Sequence, residues 1–420
     1  MAYTDLTQIQ EKINTHKSDL AANLAAKSVN ANSGETLAVL IGKVKDIEQT
    51  GGGGSGEGGL DWSQITDMEY AFYRCNEQAF EMFLKSINCD MRQVTDWQYA
   101  FYQAIITDNA NDIWQANKIP ITKLSQSMFY NCTYLKNIEF EDDIDGDGTT
   151  AGAKNCFGGC TRLPLNKATA FFYNHPEDSS FKLESAFELV GTVAEKAGTV
   201  TIDDFTLRVS TFNRGFYGCT NLLKFGNFTN PHTSALNIQQ MFGNCSSLQE
   251  VGLITTQALN NSSYNVFNGC NKLKKIHGFS VPSQKYQGEI ITSSSYRLIS
   301  SSSLTALEEC LNIPVGYFRY GGANIGLAGT ASAVKPLKRL TFCQSDEGYY
   351  TKNYAKNLTI QYCSFDRDGM LEVFNTLPDA SDVTVTSTIT ITGNPCVNDG
   401  TLTEEDIAIA TAKGYVIKTA

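Results

Sequence analysis

A short motif recurs along much of this 420-residue chain and limits its fold more than any other feature. The motif reads Phe-x-x-Cys-x-x-Leu, and its eight phenylalanines follow one another at spacings of 25–30 residues. The cysteine is present in six of the eight copies. A unit of this length cannot bury an apolar face alone, so neighbouring copies are expected to stack into a solenoid. The aligned residues are Phe72, Phe101, Phe129, Phe157, Phe187, Phe216, Phe242 and Phe267.

Each copy divides into two parts with different apolar spacing. Before the phenylalanine, apolar residues stand three and four positions apart, as at Leu124 and Met128, which predicts a helix or a helical turn. After the cysteine, alternation through Ile138 predicts a short strand. Ala104 and Val190 replace the cysteine in two copies. The position therefore needs a small buried group, and we predict structural thiols there, not metal or redox ligands.

The recurring motif resembles the leucine-rich repeats of bacterial surface-antigen-type proteins, which also occur in phage and prophage tail proteins. The resemblance covers Leu60 to Phe279 and departs from the pattern around Phe80–Ile87 and Phe187–Ile202, where the cysteine or the leucine strand is missing. It implies an α/β repeat fold, a leucine-rich-repeat solenoid.

A longer unit replaces the motif in residues 296–420. Strands are predicted at 340–343, 358–363, 388–392 and 415–417, with a helix over 366–377 that ends at Pro378. Thr403 is predicted to cap a last helix that ends near Gly414. This region resembles the C-terminal leucine-rich segments of phage tail-fibre proteins, and we interpret it as the capping end of the solenoid.

Residues 1–50 carry two narrow apolar stripes at helical spacing, and residues 51–59 form a glycine-rich, flexible linker. Two short helices of this kind need a partner to cover their stripes. The partner would be other copies of this chain, as a homo-oligomer, or another virion protein. The stretch from Leu24 to Leu37, continuing to Ile47, resembles a segment common near the start of phage tail and fibre proteins. The predicted organisation is therefore attachment segment 1–50, linker 51–59, repeats 60–295 and longer repeats with cap 296–420.

The charge balance narrows the range of partners. Acidic residues number 44 against 33 basic ones, a formal net charge of −11, which disfavours nucleic acid as a partner. No secretion signal is recognisable at the start and no apolar stretch is long enough for a membrane helix. We therefore expect synthesis in a host cytoplasm, no membrane insertion and a final location in the virion.

One calcium loop is a candidate metal site. Asp143, Asp145 and Asp147 match the first positions of an EF-hand-type loop, although Lys154 stands where the loop needs a bidentate acid. No other cofactor is predicted. No nucleophile, phosphate-loop or paired-carboxylate motif stands out, and we predict that the chain is not an enzyme.

Four tyrosines each follow an aligned phenylalanine by one position: Tyr73, Tyr102, Tyr130 and Tyr217. They are candidates for a recognition surface, because aromatic ladders stack sugars or anchor protein loops. The alternative is that half-buried tyrosines simply pack between repeats.

These observations predict a structural bacteriophage protein, namely a tail fibre, baseplate or head fibre protein that recognises a host surface protein or glycan. Two alternatives remain. A bacterial cell-surface leucine-rich-repeat adhesin would need a signal peptide and a wall anchor, and a virion depolymerase would need an acidic cleft.

Overall fold

The structure is a computed structural model of the chain, and it describes a defined set of residues. They are residues 65–86, 94–107, 123–138, 145–146, 152–170, 172, 181–260, 263, 265–281, 304–314, 327–343, 357–381 and 384–420, with isolated positions between 14 and 31. The chain forms two compact units, Met1–Glu195 and Lys196–Ala420. Both are built as a parallel β-solenoid, in which one coil carries one copy of the repeat. The expected repeat solenoid is thereby confirmed.

Among the residues described in the first unit, few belong to helices or strands. Its elements are α1 (Glu77–Ser86), β1 (Lys123–Leu124), β2 (Asp145–Gly146), α2 (Leu165–Ala170) and β3 (Phe181–Lys182). Strands β1 and β2 pair in parallel. Helix α1 occupies the stretch where the repeat pattern is interrupted, and the Asn76 side chain caps it by accepting a hydrogen bond from the Ala79 N–H at 2.9 Å.

Among the residues described in the second unit, thirteen strands form three parallel sheets. Their strands are β4 (Val200–Ile202), β5 (Phe205–Thr206), β7 (Leu222–Phe225), β8 (Phe228–Asn230), β9 (Glu250–Val251), β10 (Ile254–Thr256), β11 (Lys275–Ile276), β12 (Phe279–Ser280), β13 (Glu309–Pro314), β14 (Arg339–Cys343), β15 (Leu358–Thr359), β16 (Ser387–Thr390) and β17 (Tyr415–Lys418). Strand β6 (Val209–Thr211) precedes β7 and does not belong to these three sheets. The strand orders are β14-β13-β11-β9-β7-β4, β12-β10-β8-β5 and β15-β16-β17. Each coil from β7 to β12 thus adds one strand to each of two sheets.

The segments around the aligned phenylalanines form a ladder of turns. The predicted helix or helical turn is wrong for these segments, because the residues two before and two after each phenylalanine have positive φ. In the first coil these residues are Tyr70, with φ 58°, and Arg74, with φ 54°. An α-helix does not accept such angles. A positive φ at the third residue is what a type II turn requires.

Backbone hydrogen bonds explain why the turns persist. The N–H of Phe72 donates to Ala100 O in the next coil at 2.8 Å, and the N–H of Tyr73 donates to Tyr70 O in its own turn at 3.1 Å. Successive residues alternate between these two partners along the turn segment. Half of the donors therefore bind the neighbouring coil, as in a sheet, and fix the register of the repeats.

The core follows from this register. The ring centroids of Phe72 and Phe101 lie 5.6 Å apart, and those of Phe101 and Phe129 lie 5.2 Å apart, all as stacked pairs. In the second unit Phe242 and Phe267 stack at 5.7 Å with an interplanar angle of 2°. Beside the phenylalanines lie free, buried thiols, as predicted; they are Cys132, Cys160, Cys219, Cys245 and Cys270.

The last coils are strand–helix units, as the sequence predicts. Helix α3 (Arg367–Thr376) has Asp366 as its N-cap, α4 (Pro395–Asn398) has Asn394 as its N-cap, and α5 (Glu404–Ala412) begins at a Thr403 capping box. Lys413 stabilises the end of α3 by donating to the carbonyl oxygens of Phe374, Asn375 and Leu377 at 2.7–3.0 Å.

The predicted attachment segment and linker lie almost wholly outside the described residues, so they stay predictions. Positions 14, 15, 17, 18, 20–22 and 25 have helical backbone. Within the described part of the chain, no helix has the length and apolar character needed to cross a membrane.

Candidate recognition surface

Three of the four predicted tyrosines come together in the first unit. Tyr73, Tyr102 and Tyr130 occupy the same position in successive coils, so parallel stacking aligns their side chains. The Tyr73 and Tyr102 ring centroids lie 5.0 Å apart at an interplanar angle of 10°. Those of Tyr102 and Tyr130 lie 5.2 Å apart at 25°. The fourth, Tyr217, lies in the second unit.

Sequence reasoning missed a second column beside the first. Tyr70 and Tyr99 stack with centroids 4.8 Å apart and an interplanar angle of 4°. Tyr70 also meets Tyr73 edge-on at 5.8 Å, and Tyr99 meets Tyr102 at the same distance. The repeated Tyr-Ala-Phe-Tyr string contained the signal. We call the five residues Tyr70, Tyr73, Tyr99, Tyr102 and Tyr130 the tyrosine ladder.

The first column ends on a glycine. Gly158 takes the place of the next tyrosine, and a Cβ placed on it would lie 3.1 Å from the Tyr130 ring. At the other end, the Arg74 guanidinium carbon lies 5.5 Å from the Tyr73 ring centroid. The ring faces of this column are therefore occupied within the protein.

The ladder is polar at its edges and only partly accessible. Tyr102 is 6% exposed, whereas the other four members are half-buried. Burial, and next the neighbouring Tyr73 and Tyr130, raise the pKa of Tyr102. Its phenol therefore stays neutral at physiological pH. Such a hydroxyl donates and accepts hydrogen bonds but supplies no base.

Polar side chains from adjacent coils hold the ladder. The Tyr99 hydroxyl accepts a hydrogen bond from Gln126 Nε2 at 2.6 Å. Arg74 Nε donates to Gln103 Oε1, also at 2.6 Å. These contacts fix the side chains before any partner binds, which lowers the entropy cost of recognition.

Three carboxylates gather in the same two coils. One oxygen each of Asp67, Glu69 and Asp96 lies within 4.8 Å of the others. The parallel bridge between Asp67 and Asp96 brings the coils together here. Such oxygens could hold a hard cation. The sequence analysis did not single out this group.

The predicted calcium loop cannot be compared with this group. Asp143 and Asp147 lie outside the described residues, and only the backbone of Asp145 is described, paired with Lys123. The calcium prediction stays a prediction.

Tyr217 has a different environment from the ladder. The Arg214 guanidinium carbon lies 3.8 Å from its ring centroid, and Asn244 Nδ2 donates to its hydroxyl at 2.7 Å. In the next coil, a Cβ on Gly243 would lie 2.6 Å from its ring. Tyr217 therefore packs between coils, as the alternative interpretation expected.

A column of alternating charge, which the sequence analysis also missed, runs across strands of the six-stranded sheet and continues onto helix α3. Salt bridges join Lys224 to Glu250 at 3.3 Å, Lys275 to Glu309 at 3.0 Å and Arg339 to Glu372 at 2.7 Å. The strand register places Glu250 beside Lys275 and Glu309 beside Arg339. We call these six residues the charge column.

The positive and negative side chains of the charge column balance one another. A hydrogen bond from His277, and next one from Lys224, lower the pKa of Glu250. Each carboxylate has a cationic neighbour, so the column offers little net charge to an outside polymer. The tyrosine ladder is the better candidate surface.

No family model, curated protein or solved structure matches this chain.

Proposed function

We propose that this chain is a structural bacteriophage protein, of a tail fibre, baseplate or head fibre, that recognises a host surface without catalytic turnover. We also propose that its coils are leucine-rich repeats of the surface-antigen type. Residues 1–50 attach the protein to other virion proteins or to further copies of itself. The resemblance of residues 24–47 and of the C-terminal region to phage fibre segments supports the phage assignment.

The tyrosine ladder is the observation that carries the recognition part. Tyr73, Tyr102 and Tyr130 stand in a rigid row because each of their coils is hydrogen-bonded to the next through its turn segment. Tyrosine is enriched among the residues that dominate binding energy, and a side chain already held in place loses little entropy on binding. A solenoid face can vary in sequence without disturbing the core, which suits recognition.

The test uses virions whose genome encodes the chain. Antibodies against the purified full chain should label intact particles, and the free chain should compete with particles for adsorption to host cells. The matched variants are Tyr73→Ser, in the ladder, and Tyr217→Ser, outside it. Tyr73→Ser should lose competition, whereas Tyr217→Ser should retain it.

Other outcomes separate the alternatives. Labelling of the bacterial surface in uninfected cells would indicate an adhesin. Release of soluble sugar fragments from host envelopes would indicate a depolymerase. Unlabelled particles together with absent competition would contradict the proposal.

A further inference from the structure

The column of Tyr73, Tyr102 and Tyr130 within the tyrosine ladder lacks the platform that a sugar needs. A sugar packs its C–H groups against the face of an aromatic ring. Tyr102 lies between Tyr73 and Tyr130, at 5.0 and 5.2 Å. Gly158 lies against the Tyr130 ring, and Arg74 lies near that of Tyr73. No ring face in this column is left for a glycan.

Ring edges and hydroxyls remain for an outside partner. The edge of an aromatic ring is electropositive and favours carbonyl oxygens or the faces of other rings. A neutral phenol both donates and accepts hydrogen bonds. Peptide groups and aromatic side chains of a protein loop supply these contacts, and tyrosine-rich antibody surfaces bind proteins in this way.

The charge beside the ladder indicates which loop would fit. Asp67 and Asp96 lie three residues before the stacked pair Tyr70 and Tyr99. No salt bridge between described residues involves either aspartate, although Asp96 accepts hydrogen bonds from the Gln98 N–H at 2.9 Å and from Gln98 Nε2 at 3.4 Å. Asp67 Oδ1 accepts only the neighbouring Glu69 N–H at 2.8 Å among the bonds that are described. This edge is negative and complements lysine or arginine.

We propose that the tyrosine ladder binds a basic loop of a partner protein and not a glycan. This inference rests on the proposed recognition function and names its partner class. The main chain of the loop contacts the ring edges and hydroxyls, and its lysine or arginine side chains bind at Asp67 and Asp96.

The experiment presents the full-length chain with two probes, a displayed library of random peptides and an array of defined glycans. Peptides selected on the wild-type chain should be enriched in lysine and arginine. A synthetic copy of the most enriched peptide should bind Asp67→Asn/Asp96→Asn about tenfold more weakly, a loss of about 1.4 kcal/mol. Its binding to the wild-type chain should weaken in about 0.5 M NaCl.

Matched variants keep the result interpretable. Tyr99→Phe keeps the stacked ring and removes one hydroxyl, and it should weaken peptide binding. Tyr217→Phe makes the same change in the second unit and should leave binding unchanged. Thermal unfolding midpoints equal to that of the wild-type chain show that a variant is folded.

Three results would overturn the inference: glycan binding that the ladder variants abolish, selected peptides without basic enrichment, or no selected peptide at all. If the chain still competes with virions for host cells, the proposed function survives while this inference fails. If competition is absent as well, both fail.

Discussion

The Cys245 thiol donates a hydrogen bond to the carbonyl oxygen of Phe216, 3.0 Å away in the preceding coil. The same oxygen accepts the N–H of Cys219 from its own turn at 3.1 Å. Cys132, Cys160 and Cys270 make the equivalent thiol contact with a phenylalanine carbonyl. A cysteine at this position therefore fills a small space and also joins consecutive coils.

We predict that these thiols do not react in the native protein. An aromatic disulfide reagent modifies a cysteine only if it can reach the sulfur atom. No surface is exposed at Cys132, Cys160, Cys219, Cys245 and Cys270. Titration with an aromatic disulfide at pH 8 should leave them unmodified until urea unfolds the chain. Cys343, which is half-buried, serves as the internal control because it should react sooner. Rapid native labelling of Cys245 would contradict the prediction.

Alkaline pH should destabilise the protein partly through Cys245. Burial, and next the neighbouring Cys270 and Cys219, raise its pKa well above the ordinary 9.0. Its contribution to stability is therefore complete below pH 9 and is lost as the pH rises beyond that value, because the unfolded thiol ionises first. Urea unfolding at pH 7 and pH 10 measures the loss. Cys245→Ala should show a smaller loss, and an identical pH dependence would contradict the assignment.

Acid should release the clamp between Arg367 and Asp406. Two hydrogen bonds from the guanidinium, at 2.8 and 2.9 Å, are the main cause that lowers the pKa of Asp406 to about 2. Stability from this carboxylate is present above pH 3.8, the ordinary value, and is lost as the pH falls through about 2. Asp406→Asn should lower the urea midpoint at pH 7 and differ little from the wild-type chain below pH 2. Glu405→Gln, exposed on the same helix, is the control and should have almost no effect.

Leu189 is held in a backbone conformation that suits it poorly. Its φ is 60°, and its side chain is 42% exposed, so little packing offsets the strain. A left-handed conformation costs an ordinary residue about 1–2 kcal/mol. Leu189→Asn should therefore raise the free energy of unfolding by about 1 kcal/mol, since asparagine tolerates this region. Val193→Asn, at a more exposed valine nearby, should leave stability unchanged, and equal effects would contradict the explanation.

The charge column should respond to reversal at its centre. Lys275 forms a salt bridge with Glu309 and stands beside Glu250 in the strand register, so Lys275→Gln removes attraction between partly exposed groups, worth about 1 kcal/mol or less. Lys275→Glu sets three acids in a row and should cost more. In about 1 M NaCl the difference between the two variants should shrink, because salt screens these charges. A difference that is independent of salt would show that packing, not charge, is responsible.

The residues that recur in each coil could be aligned from the sequence, whereas the other contacts between neighbouring coils could not be predicted. Aligning Phe101 with Phe129 also aligned Tyr102 with Tyr130, so the stacked columns could be anticipated. Aligning the repeats could not show that the helix predicted before each phenylalanine was wrong. Apolar residues such as Leu124, Met128 and Phe129 fit a helix and a ladder of turns equally, and only the hydrogen bonds to the next coil decide between them.

The remaining misses have the same origin. Asp67 and Asp96 are 29 residues apart and meet because their coils stack in register. Lys224 and Glu250 are separated in sequence and paired only once the strands align. Periodicity within one coil does not reveal partners in the next one.

The alternating signs of the charge column also constrain how this protein can change length. Deleting the coil that carries Glu250 would set Lys224 beside Lys275, and duplicating it would set two glutamates side by side. Deleting the coils of both Glu250 and Lys275 would bring Lys224 next to Glu309 and restore attraction. Adding or removing an even number of coils in this sheet therefore keeps opposite charges side by side, whereas an odd number sets like charges together.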